Sequence, residues 1–308
     1  MKRFVFKVIL FLILMLAFLT APVMLAIFNN TIEQVKLPSH VQTLFVGDSH
    51  PQCALNDKLF PNSLNICRSA ESYVYTYYKL KAILRVNPQI KTIIIGLSYH
   101  SVGGKYDYTV KKNNLQFKTM CYRYLPVYDS DLLFYLLRVN PVGVVQNLPA
   151  FTKKSTALLS KDILNRLKYR DFPFIGSFYD DTHSNLSDSV ITWTISRQYH
   201  DEQGQYIGIS EMQKQYLFKI IRYLEEKQIA LVFVNTPVNE KYLSKVPENN
   251  ITVYNDIVNR YPNILFLNHT HLTYPDNYWR DGEHLNSLSA ALYTQYLYEQ
   301  LKAEGVVE

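Results

Sequence analysis

The sequence predicts a doubly wound α/β domain with a parallel central sheet, and three observations carry that prediction. Apolar runs of strand length recur along the chain. Stretches with helical spacing lie between them. The first strand, helix and second strand fit within about 55 residues, the size of a βαβ unit.

The elements follow in order. Thr43 to Val46 is a run of four β-favouring residues that stops at Gly47, in "TLFVGDSHPQC". Ser72 to Val86, "SYVYTYYKLKAILRV", has helical spacing and ends at Asn87-Pro88. Lys91 to His100, "KTIIIGLSYH", is the next buried strand. Ser210 to Lys227 predicts an amphipathic helix opened by Ser210, with Glu211 in its first turn. Residues 229–237 form a strand ending at Pro237, residues 263–269 a further short strand, and Leu285 to Ala303 a closing helix. The stretch 101–207 breaks this rhythm with Gly103-Gly104, polar turns and helical pieces such as Asp131 to Arg138, and it reads as an insertion or lid.

The N-terminus reads differently from the rest. Behind Lys2, Arg3 and Lys7, Val8 to Phe28 holds 21 residues without a charge. At about 1.5 Å per residue, that crosses a hydrocarbon core of about 30 Å. The cations keep the N-terminus cytoplasmic and put everything after residue 30 outside the cytoplasmic membrane. Cleavage near Met24-Leu25-Ala26 is the alternative, and the length of the run favours an uncleaved signal anchor. The resulting plan is a transmembrane anchor at 1–30, a linker at 31–41 and a domain at 42–308.

Composition narrows the classes. At 308 residues, 48% apolar and 19% charged, the chain buries a full core and is not a disordered protein. The net charge of +6 is scattered rather than gathered in a stripe, which argues against a nucleic-acid partner. Twenty-five tyrosines suit a polar, sugar-facing or interface-rich surface. Cys53, Cys67 and Cys121 allow at most one disulfide and have no metal spacing.

Ser49 sits where a strand ends, the edge at which open α/β sheets bind ligands. Asp48-Ser49 also reads as an ordinary turn and helix cap. A serine nucleophile needs a histidine to take its proton and an acid to hold that histidine. "RDGEHLN", 280–286, offers both, with Asp281 and His284 three residues apart. Asn268-His269-Thr270-His271 superficially suggests a metal pair, but it lacks a partnering Asp-x-His run, so neither metal nor cofactor is expected.

This pattern resembles the SGNH, or GDSL-like, hydrolase superfamily through Gly47-Asp48-Ser49 after the first strand and Asp281-Gly-Glu-His284 before the last helix. "NSLNICRSAES", "VFVNTPVNEKY" and "DGEHLN" further resemble the membrane-anchored branch that includes alginate O-acetyltransferase relatives and the D-alanyl transfer protein of teichoic acid. The resemblance implies a flavodoxin-like three-layer α/β/α fold and a catalytic Ser49, His284 and Asp281. It implies an oxyanion hole from the N–H groups of Ser49 and Ala70, where Ala70 stands in place of the family's usual glycine. The family's asparagine donor has no counterpart, and Ser98 or His100 are its candidate replacements. His50 and His100 are candidate substrate-lining residues, and Trp279 a candidate for stacking on a sugar ring, with structural packing the alternative. The implied activity is O-acyl transfer to a cell-envelope polysaccharide, partnered by an integral-membrane O-acyltransferase. The rival readings are a carbohydrate esterase with the same triad and a non-catalytic polysaccharide-binding scaffold.

Overall fold

The computed structural model describes residues 1–28, 35–149, 152 and 175–307. The linker residues 31–34 and residues 153–174 of the expected insertion lie outside the described residues. The chain divides into two compact units: Leu37–Asp107 with Ile175–Glu308, and Met1–Lys36 with Tyr108–Phe174.

The larger unit holds five strands, β1 (Thr43–Val46), β2 (Ser63–Asn65), β3 (Thr92–Gly96), β4 (Ala230–Asn235) and β5 (Leu265–Asn268), in the order β2-β1-β3-β4-β5. Every neighbouring pair is parallel, and Thr43 pairs with Ser63 on one side and Thr92 on the other. This is the flavodoxin-type order, whose switch point lies between β1 and β3. All residues of β1 and β3 are buried, as the strands of a sheet covered on both faces must be.

Helices flank the sheet. α2 (Ser49–Ala54) follows β1, and α3 (Tyr73–Leu84) follows β2. α7 (Asp188–Tyr199) lies within the expected insertion, and α8 (Glu211–Glu226), α9 (Glu240–Leu243), α10 (Glu248–Arg260) and α11 (Ser287–Ala303) follow it. α3 packs on α8, and α11 packs on α2. Phe45, Ile94 and Val232 of the sheet meet Tyr293, Leu297 and Leu301 of α11 in one apolar core. Ser210 caps α8 by accepting from Gln213 N, so the helix starts where its sequence requires.

β2 and α10 are among the elements not read from the sequence. β2 is three residues, "SLN", too short and mixed in polarity to form an apolar run. It is fixed by tertiary bonds instead: Asn65 donates from its side chain to Pro51 O and Leu55 O, and from its backbone to Asp57. α10 lacks a side-chain cap, since its N-cap position is Pro247.

The smaller unit is helical. α1 (Lys2–Phe28) covers the apolar N-terminal run. Among the described residues, no helix is long and apolar enough to cross a membrane. α4 (Leu115–Tyr124) and α5 (Ser130–Val139) are capped by Asn114 and Asp129, and α6 is described over 141–149. The helical piece expected at Asp131 to Arg138 falls within α5. Cys53, Cys67 and Cys121 are buried thiols outside any disulfide.

Candidate active site

The Gly-Asp-Ser corner is built by close packing. Gly47 has a φ of 137°, and a Cβ there would fall 2.9 Å from Pro51 Cγ. At Gly96, where β3 ends, a Cβ would fall 2.6 Å from the same atom. The ends of β1 and β3 therefore close on Pro51 of α2. Asp48 is the N-cap of α2, accepting from His50 N at 3.0 Å, and Ser49 is its first residue. The two sequence readings of this corner coincide: Asp48 caps the helix, and the cap presents Ser49 at the switch point.

Ser49, His284 and Asp281 come together. His284 Nε2 lies 2.8 Å from Ser49 Oγ, and His284 Nδ1 lies 2.9 Å from Asp281 Oδ2. Asp281 Oδ1 also accepts from the backbone N–H of Glu283 and of His284, both at 2.9 Å, which shapes the loop that aims the imidazole. Burial disfavours a charged His284, but the carboxylates of Asp281 and Glu283 outweigh it and raise its pKa above the ordinary imidazole value. Burial likewise disfavours a charged Asp281, yet His284 beside it holds the carboxyl well below the usual carboxylate range. The arrangement is an acceptor-held base against a hydroxyl, able to draw a proton from Ser49.

Ala70 adopts a φ of 58°, a left-handed backbone in which glycine is at ease and alanine is strained. That explains why the related pattern has glycine here. Among the described residues, no hydrogen bond takes the N–H of Ser49 or of Ala70. The next residue, Glu71, pairs with Lys79 Nζ at 2.6 Å with both side chains fully buried, and Lys79 also donates to Ile66 O at 2.6 Å. Glu71 Oε1 accepts from Thr76 as well, at 2.8 Å. The turn that carries Ala70 is thus pinned by a buried ion pair that sequence reasoning missed.

The remaining expected donors are committed elsewhere. Glu283 Oε2 lies 3.2 Å from His50 Nε2, and a carboxylate only accepts, so His50 carries its proton on Nε2. Burial lowers the His50 pKa and keeps the ring neutral. With the proton on Nε2, its Nδ1 is free to accept, and Ser98 Oγ lies 3.4 Å away. Ser98 N donates to Ser101 Oγ at 2.9 Å. Ser98 Oγ thus lies within reach of the His50 ring. His100 Nε2 likewise donates to Asp48 Oδ2 at 2.9 Å, an oxygen that also accepts from Tyr106 OH. His50 and His100 are both buried, with rings 4.3 Å apart.

Glu283 is the functional residue that sequence reasoning passed over; its place between Asp281 and His284 was its only signal. Besides His50 it takes Arg197 at 3.0 Å and Gln198, and Gln198 in turn takes Tyr242 OH. Its Oε1 lies 3.8 Å from His284 Nδ1. His50, Glu283 and His284 bring donor atoms within 4.8 Å of one another, a metal-like set. Those atoms already serve one another, Ser49 and Asp281. His269 of the histidine pair is buried with Nδ1 on Tyr293 OH at 2.9 Å, whereas His271 is exposed.

Trp279 does not face a substrate. It is 1% exposed, lies in the core beside Phe45 and Val234, and donates from Nε1 to Tyr274 O at 3.1 Å. Packing, the alternative reading, is what the ring does.

A strap without helix or strand, 176–187, is bonded to the elements that carry the site. Just before it, Ile175 O accepts from Arg68, and Gly176 presses on Cys67 so closely that a Cβ would lie 1.7 Å from Cys67 O. Tyr179 N then donates to Gln52 O of α2 at 2.9 Å. Asp181 pairs with Arg280 at 3.4 Å and accepts from Ser287 N at 2.9 Å. The strap thus runs from the Ala70 turn past α2 to the Asp281–His284 loop and on into α7.

The sequence matches no family profile and no curated protein. Among solved structures, a "putative acylhydrolase" from Bacteroides fragilis is similar over 91% of this chain and 96% of its own, with a TM-score of 0.40 and 8% identity.

Proposed function

We propose that this chain is a serine acyl-ester enzyme of the SGNH type, anchored to the cytoplasmic membrane through the uncharged run Val8 to Phe28 with the sheet domain outside. On this reading it moves O-acyl groups onto a cell-envelope polysaccharide. The observation that carries the chemistry is the 2.8 Å approach of His284 Nε2 to Ser49 Oγ, with Asp281 behind the ring.

Ser49 Oγ attacks the acyl carbonyl carbon while His284 Nε2 takes its proton. The N–H groups of Ser49 and Ala70 hold the oxyanion. As the bond to the leaving alcohol breaks, His284 returns the proton to that alcohol, leaving acyl-Ser49. A sugar hydroxyl then attacks, gives its proton to His284, and releases Ser49 with the proton restored. With water as the second nucleophile, the same residues make an esterase. The apolar run Val8 to Phe28 supports transfer, because an anchored enzyme suits a glycan made or modified at the membrane and an integral-membrane acyltransferase as acyl donor.

A fluorophosphonate probe should label the purified chain at Ser49, and Ser49→Ala or His284→Ala should abolish labelling. In cells, Ser49→Ala should lower O-acetylation of the envelope polysaccharide by mass spectrometry. Unchanged labelling in both variants would sink the triad. A mutant glycan with more acetyl than wild type would replace transfer with deacetylation.

A further inference from the structure

The stacking role that Trp279 cannot perform has two better placed claimants. Trp193 on α7 is 60% exposed, with the Arg197 guanidinium 4.7 Å from its ring centre. Tyr179 on the strap is 41% exposed, with the Arg280 guanidinium 4.3 Å from its ring centre. Each arginine is tied to the catalytic loop. Arg197 donates to Glu283, and Arg280 directly precedes Asp281 and pairs with Asp181. The two rings are therefore held at two points of the loop that carries the base and its acid.

Exposed aromatic rings are ordinary one at a time. Here each ring has an arginine across one face, which fixes its orientation by cation–π attraction. A ring covered on one face and still this exposed turns its other face to solvent. The buried face of α7 is supplied by Ile191, Thr194, Ile195 and Tyr199, so packing does not account for Trp193. A rigid, half-wet aromatic face suits the C–H-rich face of a pyranose ring.

We propose that Trp193 and Tyr179 are the sugar-stacking positions of this site, binding pyranose units of a linear glycan on either side of the unit whose ester or hydroxyl reaches Ser49. The proposal rests on the acyl-ester reading for its placement, but its test does not require turnover. The full chain carrying Ser49→Ala would be titrated with acetylated xylohexaose, chitohexaose and acetylated hexagalacturonate. The chain has two tryptophans, and Trp279 is buried, so acrylamide quenching reads Trp193. A bound hexamer should protect that fluorescence. In calorimetric titrations, which need no reporter ring, Trp193→Leu or Tyr179→Leu should weaken binding by roughly three- to tenfold, the size of one aromatic contact. Trp193→Phe and Tyr179→Phe should restore most of it, and thermal midpoints would establish folding in every variant.

Absence of binding by all three hexamers, protection without effect of either leucine variant, or equal binding by the leucine and phenylalanine variants would each overturn the proposal. Ring-dependent binding in a protein whose wild type never takes the fluorophosphonate would leave the platform standing and remove the acyl-ester reading.

Discussion

Replacing Lys79 with methionine tests how the turn at Ala70 is held. Lys79 Nζ makes two 2.6 Å contacts, to Glu71 and to Ile66 O, with no part of either charged side chain exposed. Methionine keeps the unbranched length and removes the charge, so the buried Glu71 carboxylate loses its 2.6 Å ion-pair partner. Breaking a buried pair from one side costs about 3–5 kcal/mol, because the surviving charge loses its compensation. Against a total stability of roughly 5–15 kcal/mol, that is a large fraction. It corresponds to a fall in thermal midpoint of about 6–20 °C for a domain of this size. Glu71→Gln added to Lys79→Met should recover much of the loss, since the uncompensated charge goes with it. Circular dichroism melts of the full chain measure both variants. Fluorophosphonate labelling at 20 °C should also slow more than tenfold in Lys79→Met, because Glu71 adjoins the proposed oxyanion donor and losing one donor typically costs about 10²–10³. A single variant within 1 kcal/mol of wild type, or a double variant no better than the single, would refute the argument.

Three further outcomes follow from the geometry. His284 must be neutral to act as base, and its pKa is raised, so labelling should fall as pH drops through a midpoint above the ordinary value near 6.5. Glu283→Gln removes one of the two carboxylates that favour the charged ring, so its limb should lie at lower pH; superimposable profiles would contradict the 3.8 Å contact. Ala70→Gly should raise stability by up to about 1 kcal/mol, since relief of left-handed strain of about 1–2 kcal/mol exceeds the added unfolded-state entropy; a destabilised variant would mean that the turn is not strained. Gly176→Ala drives a methyl into Cys67 O, so the strap should lift, with faster proteolysis between 176 and 187 and at least tenfold slower labelling; wild-type behaviour in both assays would show that the strap does not shape the site.

What was legible in the sequence was what local patterning writes. Thr43 to Val46 is fully buried and reads as a run, and the sharp turn at Gly47 follows from a residue able to take a φ of 137°. Asp281 and His284 could be paired because three residues separate them and one loop aims both. The Glu283 network is of another kind: Glu283 and His50 are 233 positions apart and meet only when α2 docks beside the last loop. No spacing rule records that approach, so His50 read as a candidate substrate-lining residue and its pairing with Glu283 was not legible. The strap was equally silent, because an extended segment fixed by bonds to Gln52, Arg280 and Ser287 has no periodicity of its own. β2 fell below strand length as a pattern and is held by the side chain of Asn65.

The commitments of Ser98 and His100 bear on the choice between transfer and hydrolysis. If Ser98 gives its proton to His50, 3.4 Å away, while His100 contacts Asp48, the oxyanion of the proposed mechanism has two backbone donors and no side-chain donor from the β3 end. A missing donor slows attack on acyl-Ser49 by water and by sugar alike, so by itself it favours neither. The difference comes from positioning. A sugar hydroxyl held beside the acyl group reacts at an effective concentration far above that of a freely diffusing alcohol, up to about 10⁵–10⁸ M in well-oriented systems. Water that diffuses in freely gains no such factor. On the proposed reading, a weakened oxyanion hole together with stacking rings at Trp193 and Tyr179 makes turnover depend on the bound glycan. Leucine at either ring should therefore shift the partition of acetyl groups from sugar toward water, which the ratio of free acetate to acetylated oligosaccharide would measure. An unchanged ratio would separate the rings from the acceptor and leave them as donor-side contacts.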